Sequence, residues 1–148
     1  MYKKLIILLS SAFSILFSII IYVPYDYPTI QEGINYANMS DTIFVIPNDY
    51  NECISIEGKS LEIIGDETSN FIPKIICNQQ DSSVITIQNN INNSLFISGF
   101  ILSGANNSNG LTITDSNIEL KNIKLEDIKE IGLNGTSSNI QIENLLIN

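Results

Sequence analysis

The chain is 148 residues long, carries a formal net charge of −9, and contains no His, no Arg and no Trp. So acidic a surface repels nucleic acid and other polyanions. The side chains that usually fork carboxylates and phosphates, or serve as a base near neutral pH, are missing, and no cofactor is expected.

Lys3 and Lys4 precede Leu5–Val23, a run of 19 residues without a charge. The layout is that of a secretory signal. The run is also nearly long enough to cross ~30 Å of hydrocarbon, and no small-x-small site stands directly before Tyr25, so an uncleaved membrane anchor is the alternative. Residues 1–24 are read as signal peptide or anchor, and residues 25–148 as one domain, secreted or held at the cell surface. No cysteine follows the run closely, which argues against lipid attachment. Beyond it, five lysines face sixteen acids, a net charge of −11.

Thr29 and Glu32 form a capping box, and Ile30, Ile34 and Ala37 follow at helical spacing, which predicts a short amphipathic helix covering one end of the domain. Asp41–Pro47 reads as a strand with Ile43 and Val45 inward, and Ile54 and Ile56 as the next. Lys59–Gly65 is a strand closed by a glycine. Asp66–Pro73 and Ala105–Asn109 are loops by composition.

From Leu95 onward the chain repeats. Residues 95–102 return as 118–125 and again as 140–147. Within each copy two alternating apolar pairs, such as Ile118 and Leu120 then Ile123 and Leu125, are out of phase by one residue. Gly99, Asn122 and Asn144 stand at the break, and these residue types tolerate the left-handed conformation a sharp bend needs. A further apolar pair precedes each copy: Ile85 and Ile87, Leu111 and Ile113, Ile131 and Leu133. A period in the low twenties with at least two strands per unit predicts stacked coils at ~4.8 Å, with Asn122 over Asn144 beginning an asparagine ladder. A leucine-rich repeat has a similar period. It fits less well, because Ile outnumbers Leu and no helical segment fills the second half of each unit. The expected fold is all-β: a right-handed parallel β-helix solenoid with a short N-terminal capping helix. The last strand reaches the terminus without a polar cap, so further C-terminal coils or a capping partner are expected.

Cys53 and Cys77 lie about one coil apart. Stacked in register they come within disulfide range if their side chains share a face. With Ile54 and Ile56 inward, Cys53 points outward, which favours two free cysteines packed as small hydrophobes over a bridge.

The segments Pro28–Ile34, Asp41–Pro47, Tyr50-Asn51-Glu52 and Lys59-Ser60-Leu61 resemble the opening of secreted right-handed parallel β-helix proteins of the pectin lyase-like kind, pectin methylesterases among them. Pro73–Ile76, Val84–Ile87 and Ser98–Gly104 are similar to coils of exported bacterial members without an assigned activity. The resemblance runs from Tyr27 to the end and departs at Asn48-Asp49-Tyr50, where such proteins usually have a glycine after the proline. It implies the fold, and for the esterases a site of two aspartates, an arginine and glutamines in later coils. With no arginine here, that mechanism carries over onto no residue.

The lyases of this fold take a proton with a basic residue. Only Lys59, Lys74, Lys121, Lys124 and Lys129 could substitute, and the last three alternate with Glu119, Glu126, Asp127 and Glu130 as a solvated, ion-paired face does. A glycosidase needs two carboxylates at a set distance. Asp115, Glu119, Glu126 and Asp127 are candidates, although outward polar positions of any such solenoid look the same. No calcium-loop spacing accompanies them, and no metal is assigned. The sequons at Asn38, Asn92, Asn106 and Asn134 are what chance gives in a chain so rich in Asn and Ser.

The expected function is that of an exported, non-catalytic β-helix module, a binding or structural part of a surface or secreted protein, with a polysaccharide or another surface protein as partner. The alternative is the N-terminal part of a carbohydrate-active enzyme whose active-site coils are not in this chain. Membrane contact is expected only through an uncleaved N-terminal segment.

Overall fold

The computed structural model describes residues 17–104 and 109–148. In chain order the elements are β1 (Ile20–Val23), α1 (Ile30–Tyr36), β2 (Thr42–Val45), β3 (Asp49–Tyr50), β4 (Ile54–Glu57), β5 (Leu61–Gly65), β6 (Lys74–Cys77), β7 (Ser83–Gly104), β8 (Asn109–Glu126), β9 (Leu133–Thr136) and β10 (Asn139–Ile147). All strand pairings are parallel, and the chain winds into a β-solenoid of about five turns with one helix. This is the expected all-β parallel β-helix. No helix among the described residues is long and apolar enough to cross a membrane.

Three faces follow from the pairing. The first stacks β1, β2, β5 and the middle parts of β7, β8 and β10, in the order Ile21, Ile43, Ile63, Ile97, Leu120, Ile142. The second stacks β3, β6 and the ends of β7, β8 and β10. The third stacks β4, the starts of β7 and β8, and β9. Because side chains alternate sides along a strand, every second residue of each face points inward, and in-register stacking places Ile over Ile or Leu. Those inward columns make the core, from Ile21 and Val23 through Ile56, Ile87 and Leu102 to Leu125.

The register agrees with the repeat: Leu95 pairs Ile118, which pairs Ile140. Gly99, Asn122 and Asn144 have φ of 80°, 52° and 58°, so the bend between the first and second faces is left-handed in all three coils. Asn144 Nδ2 donates to Asn122 Oδ1 at 2.9 Å, which is the expected ladder. Backbones crowd at this corner, since a Cβ on Gly65 would fall 2.0 Å from Gly99 O.

A second left-handed column stands at the corner between the third and first faces, with Gly58, Asn89, Asp115 and Ser137 at φ of 59°, 58°, 48° and 50°. Just past it, the buried Asn90 side chain satisfies both backbone groups of Lys59, accepting from its N–H at 2.8 Å and donating to its carbonyl at 2.9 Å. The Ser116 and Ser138 hydroxyls continue the column, accepting from the N–H of Asn90 and of Ser116. Polar groups at this inner corner are tolerated because each finds a partner one coil away.

The α1 helix covers one end of the stack, resting on β1, β2 and β4. Thr29 Oγ1 accepts from Glu32 N at 3.1 Å, as the capping box requires, while the amides of Ile30 and Gln31 are held by the carboxylate of Glu52 at 2.9 Å each. Two differences from the expected elements are structural. The solenoid begins at β1, ahead of the expected boundary at residues 24 and 25, with Ile21 and Val23 fully inside. The apolar pair preceding the last copy is Leu133 and Gly135, not Ile131 and Leu133, and Ile131 is exposed. Gly135 lacks the side chain of its column because Ile140 Cδ1 occupies that place, 2.6 Å from where a Cβ would stand. Asp66–Pro73 is a loop as expected; of the expected loop Ala105–Asn109, residues 105–108 lie outside the described residues and Asn109 opens β8.

Candidate functional site

On the first face, β7 and β8 lose register: Asn90 pairs Ser116 and Leu95 pairs Ile118, so residues 91–94 oppose Asn117 alone. The surplus residues push outward and wall a groove. Its floor is an outward column of Phe96, Glu119 and Gln141, one residue from each of three successive coils. Asn92, Asn93, Asn117 and Asn139 line its side, and the volume is about 450 Å³. Asn117 Nδ2 donates to the Ile91 carbonyl and ties the wall to the next coil.

The groove thus offers one half-buried phenyl ring, several side-chain amides that both donate and accept, and a single carboxylate. None of its lining residues is a cation. That set suits a ligand with many hydroxyls and an apolar ring face, and opposes a polyanion.

Comparison of the chain with family models, with curated proteins and with solved structures finds no match. The groove has to be read from its own chemistry.

The carboxylates considered from the sequence are not brought together. Asp115 stands at one left-handed corner and Asp127 at another, Glu119 lies on the floor of the groove, and Glu126 ends the second face. Among the described residues no group of three or more His, Cys, Asp or Glu is placed to hold a metal ion. Within the groove the in-register neighbours of Glu119 are Phe96 and Gln141, so no second acid faces it along the floor.

Lys59, Lys74, Lys121 and Lys124 are engaged. Lys59 Nζ donates to the carbonyls of Ile34, Asn35 and Ala37 at 2.5, 3.0 and 2.9 Å, capping the C-terminal end of α1. Burial lowers its pKa, with the nearby Asp41 carboxylate acting the other way. Lys124 and Lys74 pair with Glu126 at 2.6 and 3.0 Å, and Lys121 pairs with Glu143 at 3.0 Å. Hydrogen bonds from Lys124 and then Lys74 hold the Glu126 carboxyl below the ordinary glutamate range.

Cys53 and Cys77 are joined by a disulfide, with Cα atoms 4.7 Å apart. The preference for two free cysteines is corrected here. Cys53 lies in the corner between β3 and β4, ahead of the first residue of β4, so the alternation of Ile54 and Ile56 does not extend to it. Its side chain packs against the core and meets the buried Cys77 of the next coil.

The groove was missed in the sequence because its residues look like any outward positions. One signal was present: the spacing from Ile87 to Leu95 exceeds that from Ile113 to Ile118, and the difference is the wall.

Proposed function

We propose that the protein is an exported, non-catalytic β-helix module whose first-face groove binds an extended, uncharged polysaccharide. One observation carries the reading: Phe96 lies in register with Glu119 and Gln141 on an open floor flanked by asparagine amides. A phenyl ring gives the C–H face of a sugar a surface to stack on, and amides and a carboxylate meet its hydroxyls. The coils repeat at ~4.8 Å, close to the rise of an extended sugar chain's residues, so a linear ligand can lie along the stack and meet each coil in turn. The acidic surface and the cation-free groove support a neutral chain over a uronate or sulfated one.

The test is calorimetric titration of the purified protein with neutral oligosaccharides of several linkages and, in parallel, with oligogalacturonate. The expected result is binding of a neutral series, weakened at least about tenfold by Phe96→Ala, a loss of about 1.4 kcal/mol. Binding that survives Phe96→Ala unchanged, or binding of oligogalacturonate alone, sinks the reading. Release of shortened products would instead establish an enzyme.

A further inference from the structure

The apolar run Leu5–Val23 is divided by the fold. Its last four residues are β1, and Gly33 of α1 lies directly on them, a Cβ there falling 3.3 Å from Val23 Cγ2 and 3.7 Å from Ile21 Cγ2. The attachment extends back to Ser18. Ser18 Oγ donates to Ser40 O at 2.6 Å, Ile19 N to Asp41 Oδ1 at 2.9 Å, and Thr42 N to Ile19 O at 2.9 Å.

A chain beginning at Tyr25 would lose all of this. The Asp41 carboxylate, 1% exposed, would keep only Asn38 N of its two amide partners. The Val23 carbonyl, which accepts from Ile46 N at 2.9 Å and the Tyr50 hydroxyl at 3.3 Å, would be gone. The edge of β2 and the core beneath α1 would open to water. A buried carboxylate left short of a partner and an uncovered parallel edge are both costly.

What remains ahead of Ser18 is Leu5–Phe17, thirteen uncharged residues. That is the length of the apolar part of a signal and well short of the ~20 residues of a span. Lys3 and Lys4 supply the basic start, Leu5–Ser11 an uncharged stretch that opens with five apolar residues, and Ala12-Phe13-Ser14 a small-x-small triplet of the kind a signal peptidase reads.

We propose that the exported chain is cut ahead of Ser18, at the Ser14–Ile15 bond, so that β1 stays in the mature protein. The peptidase hydrolyses this peptide bond with one water, which leaves the Ser14 carboxylate on the leader and the Ile15 nitrogen as the new amino terminus. The proposal rests on the reading that the protein is exported.

It is tested by N-terminal sequencing and intact mass of the full chain's product recovered from outside the producing cell. A first residue of Ile15, or of any position from Phe13 to Ser18, is the expected result. External protein that begins at Tyr25 or later, or that keeps Met1, overturns the cut and leaves export standing. A chain found only inside the cell with Met1 in place overturns both. A second measurement compares chains made to begin at Ile15 and at Tyr25. The shorter one is expected to melt about 10 °C or more below the longer, or not to fold, and equal melting temperatures would overturn the structural argument for the cut.

Discussion

Asn144 and Asn122 occupy the same left-handed bend one coil apart and are joined through their side chains, Nδ2 of the first donating to Oδ1 of the second at 2.9 Å. Asn122 Nδ2 reaches further, to Glu67 Oε2 at 3.1 Å. The residue therefore combines a backbone conformation few side chains accept with hydrogen bonds along the stack. Asn122→Ala is expected to cost about 1–2 kcal/mol, the sum of the left-handed strain and the lost exposed hydrogen bonds. Asn122→Gly, which keeps the conformation, should cost less than about 1 kcal/mol. Urea unfolding of the two variants checks the order, and a glycine variant no better than alanine would refute the conformational part.

Asn90 tests the other corner. Its side chain is fully buried and satisfies both the N–H and the carbonyl of Lys59. Asn90→Ala leaves the part-buried N–H and carbonyl of Lys59 without this partner, an expected loss of about 2–4 kcal/mol. Asn90→Asp can still accept from the N–H but can donate to the carbonyl only when protonated. Its folded-state pKa should therefore rise above the ordinary aspartate value. Stability relative to wild type should be best below that ordinary value and fall as pH rises through the folded one. Melting the variant at pH 3 and pH 7 reads this, and a constant deficit would count against it.

The Cys53–Cys77 bridge closes a loop of 24 residues' separation between neighbouring coils. A loop of this length corresponds to about 3 kcal/mol of stability. Reduction, or the paired change Cys53→Ser with Cys77→Ser, should lower the melting temperature. Each variant is compared with the oxidised protein, and an unchanged melt in dithiothreitol would mean that the bridge does not form.

Burial first, then the Glu52 carboxylate and Tyr25, push the Tyr50 phenol up from 10.0 to about 12. The sign follows from which state holds the proton. Between pH 10 and about 12 the folded phenol keeps its proton while the unfolded one loses it, so the contribution is complete below pH 10 and disappears as pH rises across that window. Tyr50→Phe removes the donor to the Ile46 carbonyl at 2.8 Å and the titration with it. Alkaline urea melts should show wild type losing stability faster than the variant above pH 10, and parallel curves would contradict the assignment.

Much of the fold was legible because a solenoid writes its register into the chain. Leu95, Ile118 and Ile140 could be aligned by eye, and Gly99, Asn122 and Asn144 marked the bend since few other residues accept it. What stayed hidden has physical reasons. β1 lies inside a long uncharged run, where period-two alternation cannot be seen against leader-like hydrophobicity. Cys53 sits at a corner, where strand parity stops. The Lys59–Asn90–Ser116–Ser138 column is polar and inward, contrary to the pattern used to assign sides. The groove arises from three surplus residues, and an insertion in sequence does not say which way it will project.

Among the described residues the strands of this solenoid pair with those of the coils directly above and below, whereas side-chain contacts such as Lys74 to Glu126 and Asn122 to Glu67 step over a coil. Cohesion is therefore local, and a defect in one winding is felt mainly by its two neighbours. Such a molecule is less like a globule than like a wound thread whose windings hold one another in turn. The disulfide and the lysine-held helix act as fasteners for the windings that carry β1 to β6. The windings that form the groove lie beyond both fasteners and are held chiefly by stacking on their neighbours.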